Sequence, residues 1–429
     1  MMSPILADRE WRVVETVLAT SAQRLVEKRA IRLWQSPAGR AAVADLGAFY
    51  EADVDARLPD QTHLMVNSAE ELVFHSALMA ASETPACPRF VWTLSPPREW
   101  MGLDVPGSRF GQDNPDNIYR IAALDPAYCY RISGQFSGPR PCEFSISALP
   151  AQIGDGTVGG TVGMISASEI DIDADGRFEI ISDASPSEGR RNHLPIAGAR
   201  TLQARDTLAD WQQERPAALD IERVDGPTED DFDAEKAAAR MGYLSATIAR
   251  YFRKVVQHGM CKVASVNSLP PLMSSAARGG LLSQAATLGC YRVAPDEALI
   301  VTVDLLGARY LGVQIVDMWM VSHDYRQATS SLNQLQAHAD GDGRIRFVIS
   351  TSDPGVHNWL DGSSAGTGTI LLRWQQLPEG VVLGDAVVTE LVKLTELKMR
   401  LPLDTQLVGS AERRTQQEVR ETGYLTRTR

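Results

Sequence analysis

The sequence predicts a mainly β protein with helical additions (α+β), built from two jelly-roll-like antiparallel β-sandwich units. The first observation is a repeated pattern: Asp-Gly-Arg, a strand, a polar loop, Asn-(Trp/His)-Leu, then a strand that ends in arginine. It occurs at 175–205 and again at 342–373. The second is that Tyr119-Arg120 and Tyr291-Arg292 each open a strand pair ahead of one copy. Together these similarities indicate an internal duplication.

Five segments follow from the distribution of these patterns. They are an N-terminal helical region at 1–95, a first β-sandwich unit at 96–224, a connecting helix and long loop at 225–284, a second β-sandwich unit at 285–378 and a C-terminal helical tail at 379–429. The tail contains a short helix and a final charged one.

Helices are predicted where apolar residues recur at helical spacing behind a capping residue. Trp11, Val14, Leu18 and Leu25 follow Asp8 in this way, and Ser36-Pro37 starts a second helix. Ser68 to Glu71 is similar to a capping box. A long helix is expected at about 229–257, with acidic residues first and basic residues last, as the helix dipole favours.

Strands are predicted where apolar and polar residues alternate between turns rich in Asp, Asn, Gly and Pro. These segments are 88–96, 130–136, 142–147, 178–182, 201–205, 299–305, 310–321, 344–350 and 369–374.

Composition excludes several classes of function. The net charge of −12 over 429 residues argues against non-specific binding to nucleic acid or to an anionic membrane. No apolar run reaches the length of a membrane span, and the N-terminus lacks a signal-peptide pattern. The five cysteines are scattered, which favours reduced thiols in a cytoplasm. We therefore expect a cytoplasmic protein with a small-molecule partner, and homodimer formation stays open.

The motifs of several cofactor and metal sites are missing from the sequence. There is no HExxH, no CxxC and no closely spaced histidine triplet, so we predict no metal site. There is no GxGxxG between a strand and a helix and no GxSxG. We therefore predict no cofactor, and any chemistry must come from side chains acting as acids and bases.

Several motifs resemble those of a bacterial family, the twelve-fourteen domain-of-unknown-function family. They are DNPDNIYR at 113–120, WMVSHDY at 319–325, SLNQLQ at 331–336, DPGVHNWLD at 353–361 and LLRW at 371–374. The resemblance runs from about 100 to 425 and implies jelly-roll-like sandwiches with helical additions, without a settled reaction. Members of that family usually carry a histidine a few residues after NWLD; Ala365 stands there in this chain.

These motifs supply the candidate site residues. The predicted catalytic residues are Tyr325, His323, Tyr119 and Asp324, and the predicted substrate-binding residues are Arg120, Asn114, Asn117, Trp319, His357, Asn358, Trp359 and Arg373. Aromatic rings can enclose a ring of the substrate, an arginine fork can hold a carboxylate or phenolate, and His or Tyr can move a proton.

The leading hypothesis is a cofactor-independent catabolic enzyme, a retro-aldol lyase or a hydrolase, that acts on a small, partly aromatic molecule. The alternative is a β-sandwich that binds a ligand or glycan without catalysis, and a third is an interaction scaffold. Bland interpretations also stay open for three motifs: a self-bonded turn at 113–117, a solvated loop at His323 and a structural corner at 358–361.

Overall fold

Six α-helices and twenty strands make up the described part of a computed structural model. The description covers residues 16–58, 60–151, 155, 160–255, 259, 261, 265–274, 284–382 and 386–428. The helices are α1 (Ser21–Gln35), α2 (Pro37–Glu51), α3 (Thr62–Ser82), α4 (Ala234–Lys254), α5 (Leu397–Arg400) and α6 (Ser410–Arg427).

The starts of two helices agree with their capping residues. The Ser36 side chain accepts a hydrogen bond from the Gly39 N–H, and proline occupies the first turn of α2, as predicted. Asp233 caps α4 by accepting from two N–H groups of its first turn. The capping box at 68–71 was wrong, because these residues lie inside α3, whose buried face begins earlier.

The first predicted helix lies partly outside the described residues. Asp8, Trp11 and Val14 fall in the segment 1–15, which is not described, and α1 begins only at Ser21. Leu18 precedes that helix and is buried, while Leu25 lies within it.

The strands are short and match most of the predicted segments. In the first half they are β1 (Val91–Thr93), β2 (Arg98–Trp100), β3 (Leu103–Val105), β4 (Asn117–Ala123), β5 (Tyr130–Gln135), β6 (Glu143–Leu149), β7 (Gly163–Ser166), β8 (Arg177–Asp183), β9 (His193–Pro195), β10 (Thr201–Thr207) and β11 (Ala218–Arg223). In the second half they are β12 (Met273–Ser274), β13 (Gln284–Arg292), β14 (Glu297–Val303), β15 (Tyr310–Val316), β16 (Ser331–Asn333), β17 (Ile345–Ser350), β18 (Trp359–Asp361), β19 (Thr367–Gln375) and β20 (Val387–Lys393).

Among the described residues, each half forms one five-stranded and one four-stranded sheet, and β2 and β3 pair as a separate two-stranded sheet. The five-stranded sheets, here called the inner sheets, have the orders β1-β4-β10-β6-β7 and β12-β13-β19-β15-β16. The four-stranded outer sheets have the orders β11-β5-β8-β9 and β18-β17-β14-β20. The second pair of sheets repeats the strand order of the first when its outer sheet is read from β20 to β18: β4, β10, β6 and β7 correspond to β13, β19, β15 and β16, and β11, β5, β8 and β9 correspond to β20, β14, β17 and β18. The mainly β, α+β prediction is confirmed, although β8–β9 and β17–β18 pair in parallel.

The hydrogen bonds of the two Asp-Gly-Arg turns also correspond. The Gly176 N–H donates to the Asp173 carbonyl, and the Gly343 N–H donates to the Asp340 carbonyl. Both glycines have a positive φ, near 79° and 78°, which side chains with a Cβ rarely adopt. The same backbone geometry explains why the sequence repeats there.

The expected match of Tyr119 with Tyr291 is not supported by the strand register. After β4, the Leu124 N–H donates to the carbonyl of residue 200, and after β13 the Val293 N–H donates to that of residue 366. These equivalent bonds place Tyr291 level with Ala122, three positions from Tyr119.

Each sandwich has its own core between its inner and outer sheet. The first contains Ile132, Ile146, Ile180 and Leu202, and the second contains Val301, Val313, Phe347 and Leu372. Helices α1 to α4 pack against β1 and β4 through a separate apolar cluster. The central strands of both inner sheets are buried on both faces, so the side chains turned away from each sandwich core are also enclosed.

Two expectations need correction. The strand β20, which lies in the predicted tail, is an edge strand of the second outer sheet because it pairs with β14. Cys261 and Cys290 form a disulfide, whereas all five cysteines were expected to be reduced. Within the described ranges, no helix is both long enough and apolar enough to cross a membrane.

Candidate functional site

A polar layer lies between the two inner sheets, and the loop before β4 runs into it. The Gln112 side chain donates to the Thr369 hydroxyl at 2.8 Å, and the Asn114 amide donates to the Tyr310 hydroxyl at 2.9 Å. The Gln376 amide donates to the Cys142 carbonyl at 3.0 Å. These bonds join the first half of the chain to the second, so the layer is a property of the tertiary structure.

Asp116 fastens this layer on one side. Its carboxylate accepts from the Tyr310 hydroxyl at 2.7 Å, the Trp211 indole at 2.7 Å and the Asn333 amide at 3.1 Å. The Asp116 N–H also donates to the Asn114 side chain at 3.1 Å, as in an Asx turn. The 113–117 segment is therefore a self-bonded turn that additionally ties the two sandwiches together.

Asp113 is a buried carboxyl group at the junction of two motifs. One of its oxygens accepts from the Ser322 hydroxyl at 2.6 Å, and the other, Oδ2, has no hydrogen-bond partner among the described residues. Burial raises the pKa of Asp113 to about 7, against the opposing effects of the Ser322 hydrogen bond and the Arg109 charge. The group can therefore gain or lose a proton near neutral pH.

Arg109 supplies a positive charge to the same region. Its backbone N–H and its Nε both donate to Glu71, at 2.8 and 2.9 Å, and its Nη2 contacts the second oxygen of that carboxylate. One terminal nitrogen, Nη1, is buried without a partner in the described part of the chain. A paired guanidinium with one free N–H group can hold an oxygen atom of a ligand.

His323 is a buried side chain whose pKa is influenced by the charge of this arginine. Its side-chain Nε2 has no partner within the described residues. Burial, with a further contribution from the positive charge of Arg109, lowers the pKa of His323 to about 4. The solvated-loop interpretation was therefore wrong, and the imidazole is neutral at physiological pH, as a general base requires.

Asp113, His323 and Arg109 form what we call the acid–base cluster. Arg109 is electrostatically coupled to both of the other groups. A carboxyl group that titrates near pH 7, a neutral imidazole and a fixed cation are the parts that proton-transfer catalysis uses. Each member also has one buried polar atom without a partner, which is uncommon in folded proteins.

Three further predicted residues lie in or beside the polar layer. The Tyr119 hydroxyl accepts from the Asn114 N–H at 3.1 Å, and the Asn117 side chain accepts from the Asn114 amide at 3.3 Å. Arg373 donates to Gln314 Oε1 at 2.6 Å and contacts the Gln112 carbonyl oxygen. Residues of the DNPDNIYR and LLRW motifs therefore lie at the same layer, where Ser322 of the SHDY segment also bonds Asp113. Their contact with a ligand stays a prediction.

Arg120 does not belong to the layer. It points to the opposite face of β4, pairs with the buried Asp206 and donates to the Ala217 carbonyl at 2.6 Å. Neighbouring residues of a strand face opposite sides, so Tyr119 and Arg120 cannot share one site. The predicted ligand contact of Arg120 was wrong.

Tyr325 and Asp324 occupy different environments. Tyr325 is buried between the rings of Trp211 and Tyr424, with centroids 6.3 and 6.0 Å away, and burial raises its pKa well above the ordinary value. Asp324 is only partly buried and pairs with Arg326 at 2.6 Å. Its partial burial is outweighed by that ion pair, which lowers its pKa, so it does not suit a proton-transfer role.

Trp319 packs in the helical core. Its ring lies 4.7 Å from that of Tyr50, with the guanidinium of Arg253 4.8 Å from the ring centre, and its indole donates to the Gln61 carbonyl at 3.3 Å. The side chain is 3% exposed. The ligand contact predicted for Trp319 was therefore wrong, since no face of the ring is open.

The 358–361 motif is a structural corner. The Asn358 amide donates to the carbonyls of His338 and Arg346, at 2.7 and 3.0 Å, and its oxygen accepts from the His338 N–H at 2.8 Å. Trp359 is buried and donates to the Ser350 carbonyl at 3.2 Å. The ligand contacts predicted for Asn358 and Trp359 were wrong, because backbone groups use both side chains.

His357 lies apart from the acid–base cluster. It lines a separate cleft of about 530 Å³ between α6 and the second sandwich. Its Nε2 is 3.1 Å from the Gln336 carbonyl, and its ring packs edge-on against His338. The predicted grouping of His357 with His323 was wrong.

Some members of the site were missed in the sequence. Asp113 belongs to the DNPDNIYR motif and Ser322 to the WMVSHDY motif. The sequence did not show that these two side chains lie within hydrogen-bond distance of each other. Arg109 and Glu71 lie 38 positions apart, and no local pattern links them. Among the described residues, no group of three metal-ligating side chains occurs.

Comparisons with known proteins support the fold. No protein-family model matches the chain, and no curated protein matches it. A crystal structure of an uncharacterised protein from Burkholderia cenocepacia is similar, with 26% identity and a TM-score of 0.69, over 86% of this chain and 99% of that one. The VPA0106 protein from Vibrio parahaemolyticus aligns at 10% identity with a TM-score of 0.40, over 87% and 100% of the two chains, a score too low to support a common fold.

Proposed function

We propose that this protein is a cofactor-independent enzyme, a retro-aldol lyase or a hydrolase, that acts on a small, partly aromatic molecule. The observation that carries the proposal is the acid–base cluster: a carboxyl group with a pKa near 7 and a neutral imidazole, each buried, each influenced by the charge of Arg109 and each with one unpartnered polar atom. Perturbed titratable groups concentrate at functional sites.

Each member of the cluster has a role that follows from its charge. In a retro-aldol cleavage, His323 takes the proton of the substrate hydroxyl and the adjacent carbon–carbon bond breaks. The electron pair moves toward a carbonyl oxygen held by Arg109, and protonated Asp113 returns a proton to the enolate carbon. In a hydrolysis, His323 takes a proton from the attacking water instead, and Arg109 binds the oxyanion. When the oxyanion collapses, the bond to the leaving-group oxygen breaks and protonated Asp113 gives that oxygen a proton.

Tyr325 is the second proposed proton donor. Its raised pKa keeps the phenol protonated, and its coupling to Asp113 and Arg109 supports a position near the cluster. Tyr119 contributes a further hydroxyl, which accepts from the Asn114 N–H. Glycan binding through exposed tryptophans receives no support from Trp319 and Trp359, since both are buried.

The test is turnover of a panel of two substrate types. Aryl-substituted hydroxy-oxo acids report cleavage through the aldehyde released, and aryl esters report hydrolysis through the phenol released. Asp113→Asn and His323→Gln should each lower turnover by about 100-fold or more, whereas Asp324→Asn, the matched control in the same motif, should not. Wild-type protein that converts no member of the panel, or variants as active as wild type, would refute the proposal.

We also infer that the two sandwiches, expected to be jelly-roll-like, arose by internal duplication and that the chain is related to the twelve-fourteen family. The repeated strand order and the equivalent Asp-Gly-Arg turns support the duplication. Superposition of residues 115–224 on residues 285–393 tests the duplication. If the strands of the two halves followed unrelated paths, the duplication would be contradicted.

A further inference from the structure

Arg205 lies in the polar layer on the first inner sheet. Leu202 and Ala204 of β10 point into the sandwich core, so Gln203 and Arg205 point away from it. The strand register sets Arg205 between Tyr119 on β4 and Ser145 on β6. The sequence showed this residue only as the arginine that closes the first repeat.

Four buried polar atoms on this face have no hydrogen-bond partner among the described residues. They are Nη1 of Arg205 and the hydroxyl oxygens of Ser145, Ser147 and Thr207. All four belong to the adjacent strands β6 and β10. Most buried polar atoms in proteins are hydrogen-bonded, so a group of four on one sheet face indicates that something else bonds them.

The charge of Arg205 also lacks compensation. Its side chain contacts the neutral Gln203 oxygen, and within the described ranges no carboxylate forms a salt bridge with it. Burial has the largest effect and lowers the pKa of Arg205; Tyr119 opposes this, and repulsion by the second cation, Arg373, lowers the pKa further. Arg120, one strand away on the other face, has the buried Asp206 as its partner.

A bound anion would both accept hydrogen bonds from the unpartnered polar atoms and compensate the charge of Arg205. Two guanidinium groups on facing sheets attract a negative charge, and hydroxyl groups beside them donate hydrogen bonds to its oxygens. A buried cation without a counter-charge is strongly unfavourable, so an anion that enters this layer gains more than it does at the protein surface.

We propose that Arg205 and Arg373, together with the Ser145 and Ser147 hydroxyls, bind the oxyanion group of a small molecule, either a carboxylate or a phosphoryl group. This inference rests on the proposed function in one respect, the position of the rest of the ligand. Gln314 connects Arg373, at 2.6 Å, to the carbonyl of Asp113, at 2.5 Å. The proposed substrate is therefore anionic. When its oxyanion group binds Arg205 and Arg373, the rest of the molecule extends toward the acid–base cluster.

Thermal unfolding with and without anions tests the site. The probes are sodium phosphate and sodium benzoate, each compared with sodium chloride at equal ionic strength. Either probe should raise the Tm of the wild type in a saturable way, and the more effective one identifies a phosphoryl or a carboxylate group. Arg205→Met should abolish the shift, and Ser145→Ala should weaken binding about tenfold, the loss of one charged hydrogen bond. The control Arg131→Met removes an exposed sheet arginine paired with Glu222 and should respond as the wild type does.

Other outcomes have definite meanings. Without anions, Arg205→Met should unfold at or above the wild-type Tm, because the substitution removes an unpaired buried charge. A wild type that no probe stabilises, or an Arg205→Met variant that keeps the full shift, would overturn the inference. If Arg205→Met does not fold, the Ser145→Ala titration decides, since unchanged affinity also overturns it. Asp113→Asn should keep anion binding while it loses turnover, so failure of this site and failure of the proposed chemistry give different results.

Discussion

The substitution Asp113→Asn should make the protein's stability less sensitive to pH. Burial raises the pKa of Asp113 from 3.8 to about 7, so the folded state prefers the protonated carboxyl group. The stabilisation that this pKa shift adds to the free energy of unfolding is fully present below pH 3.8 and is lost as the pH rises through 7. At about 1.4 kcal/mol per pKa unit, the loss is about 4 kcal/mol for the roughly three units involved. Asparagine keeps the oxygen that accepts from Ser322 and does not ionise.

The measurement is urea unfolding of both proteins at pH 4, 6 and 8. The free energy of unfolding of the variant, minus that of the wild type, should rise by about 4 kcal/mol from pH 4 to pH 8. Other titrating groups cancel in this difference if the substitution leaves them unchanged. The neighbouring carboxyl group is a control of opposite sign: the pKa of Asp324 is lowered, so Asp324→Asn should lose relative stability as the pH rises. A difference for Asp113→Asn that does not change with pH would refute the assignment of a raised pKa.

Four further substitutions or measurements test single contacts. Arg120→Met leaves Asp206 charged and buried and should destabilise the protein by about 3–5 kcal/mol in urea unfolding. Adding Asp206→Asn should recover part of this loss. An Arg120→Met variant as stable as the wild type would contradict a stabilising ion pair between Arg120 and Asp206. His323 should be neutral at pH 6, because burial lowers its pKa to about 4, and its ring nitrogens in an NMR titration report this directly. Trp359→Ala should lower stability by about 3–5 kcal/mol, since the ring is core, and a loss below about 1 kcal/mol would argue against the corner. Tyr325→Phe should keep the fold and lower turnover by about 100-fold. Normal turnover in this variant would mean that Tyr325 only packs beside the site and does not transfer a proton.

Local rules accounted for much of the secondary structure. Alternation placed most strands to within a few residues, and the Ser36-Pro37 cap began α2 where expected. The capping-box prediction at 68–71 failed because the buried side chains of α3 extend the helix past a local start signal. The 310–321 segment was too long as a strand, because the chain turns after Val316 and Asp317 accepts from the N–H groups of that turn.

The sequence by itself determined the mainly β class, the repeated Asp-Gly-Arg turns and the motifs that carry the candidate residues, since these depend on period, turn residues and short-range spacing. Only the tertiary structure decided which side chains are free to act. Arg120 and Arg373 are both arginines at strand positions, but one is paired with Asp206 inside a sandwich and the other donates to the neutral Gln314 in the polar layer. The pKa of Asp113 near 7 and that of His323 near 4 likewise arise from burial by segments more than 200 residues apart. Desolvation and the pairing of charges depend on distances that one chain position does not encode, and this is why the acid–base cluster and the anion site emerged only from the folded protein.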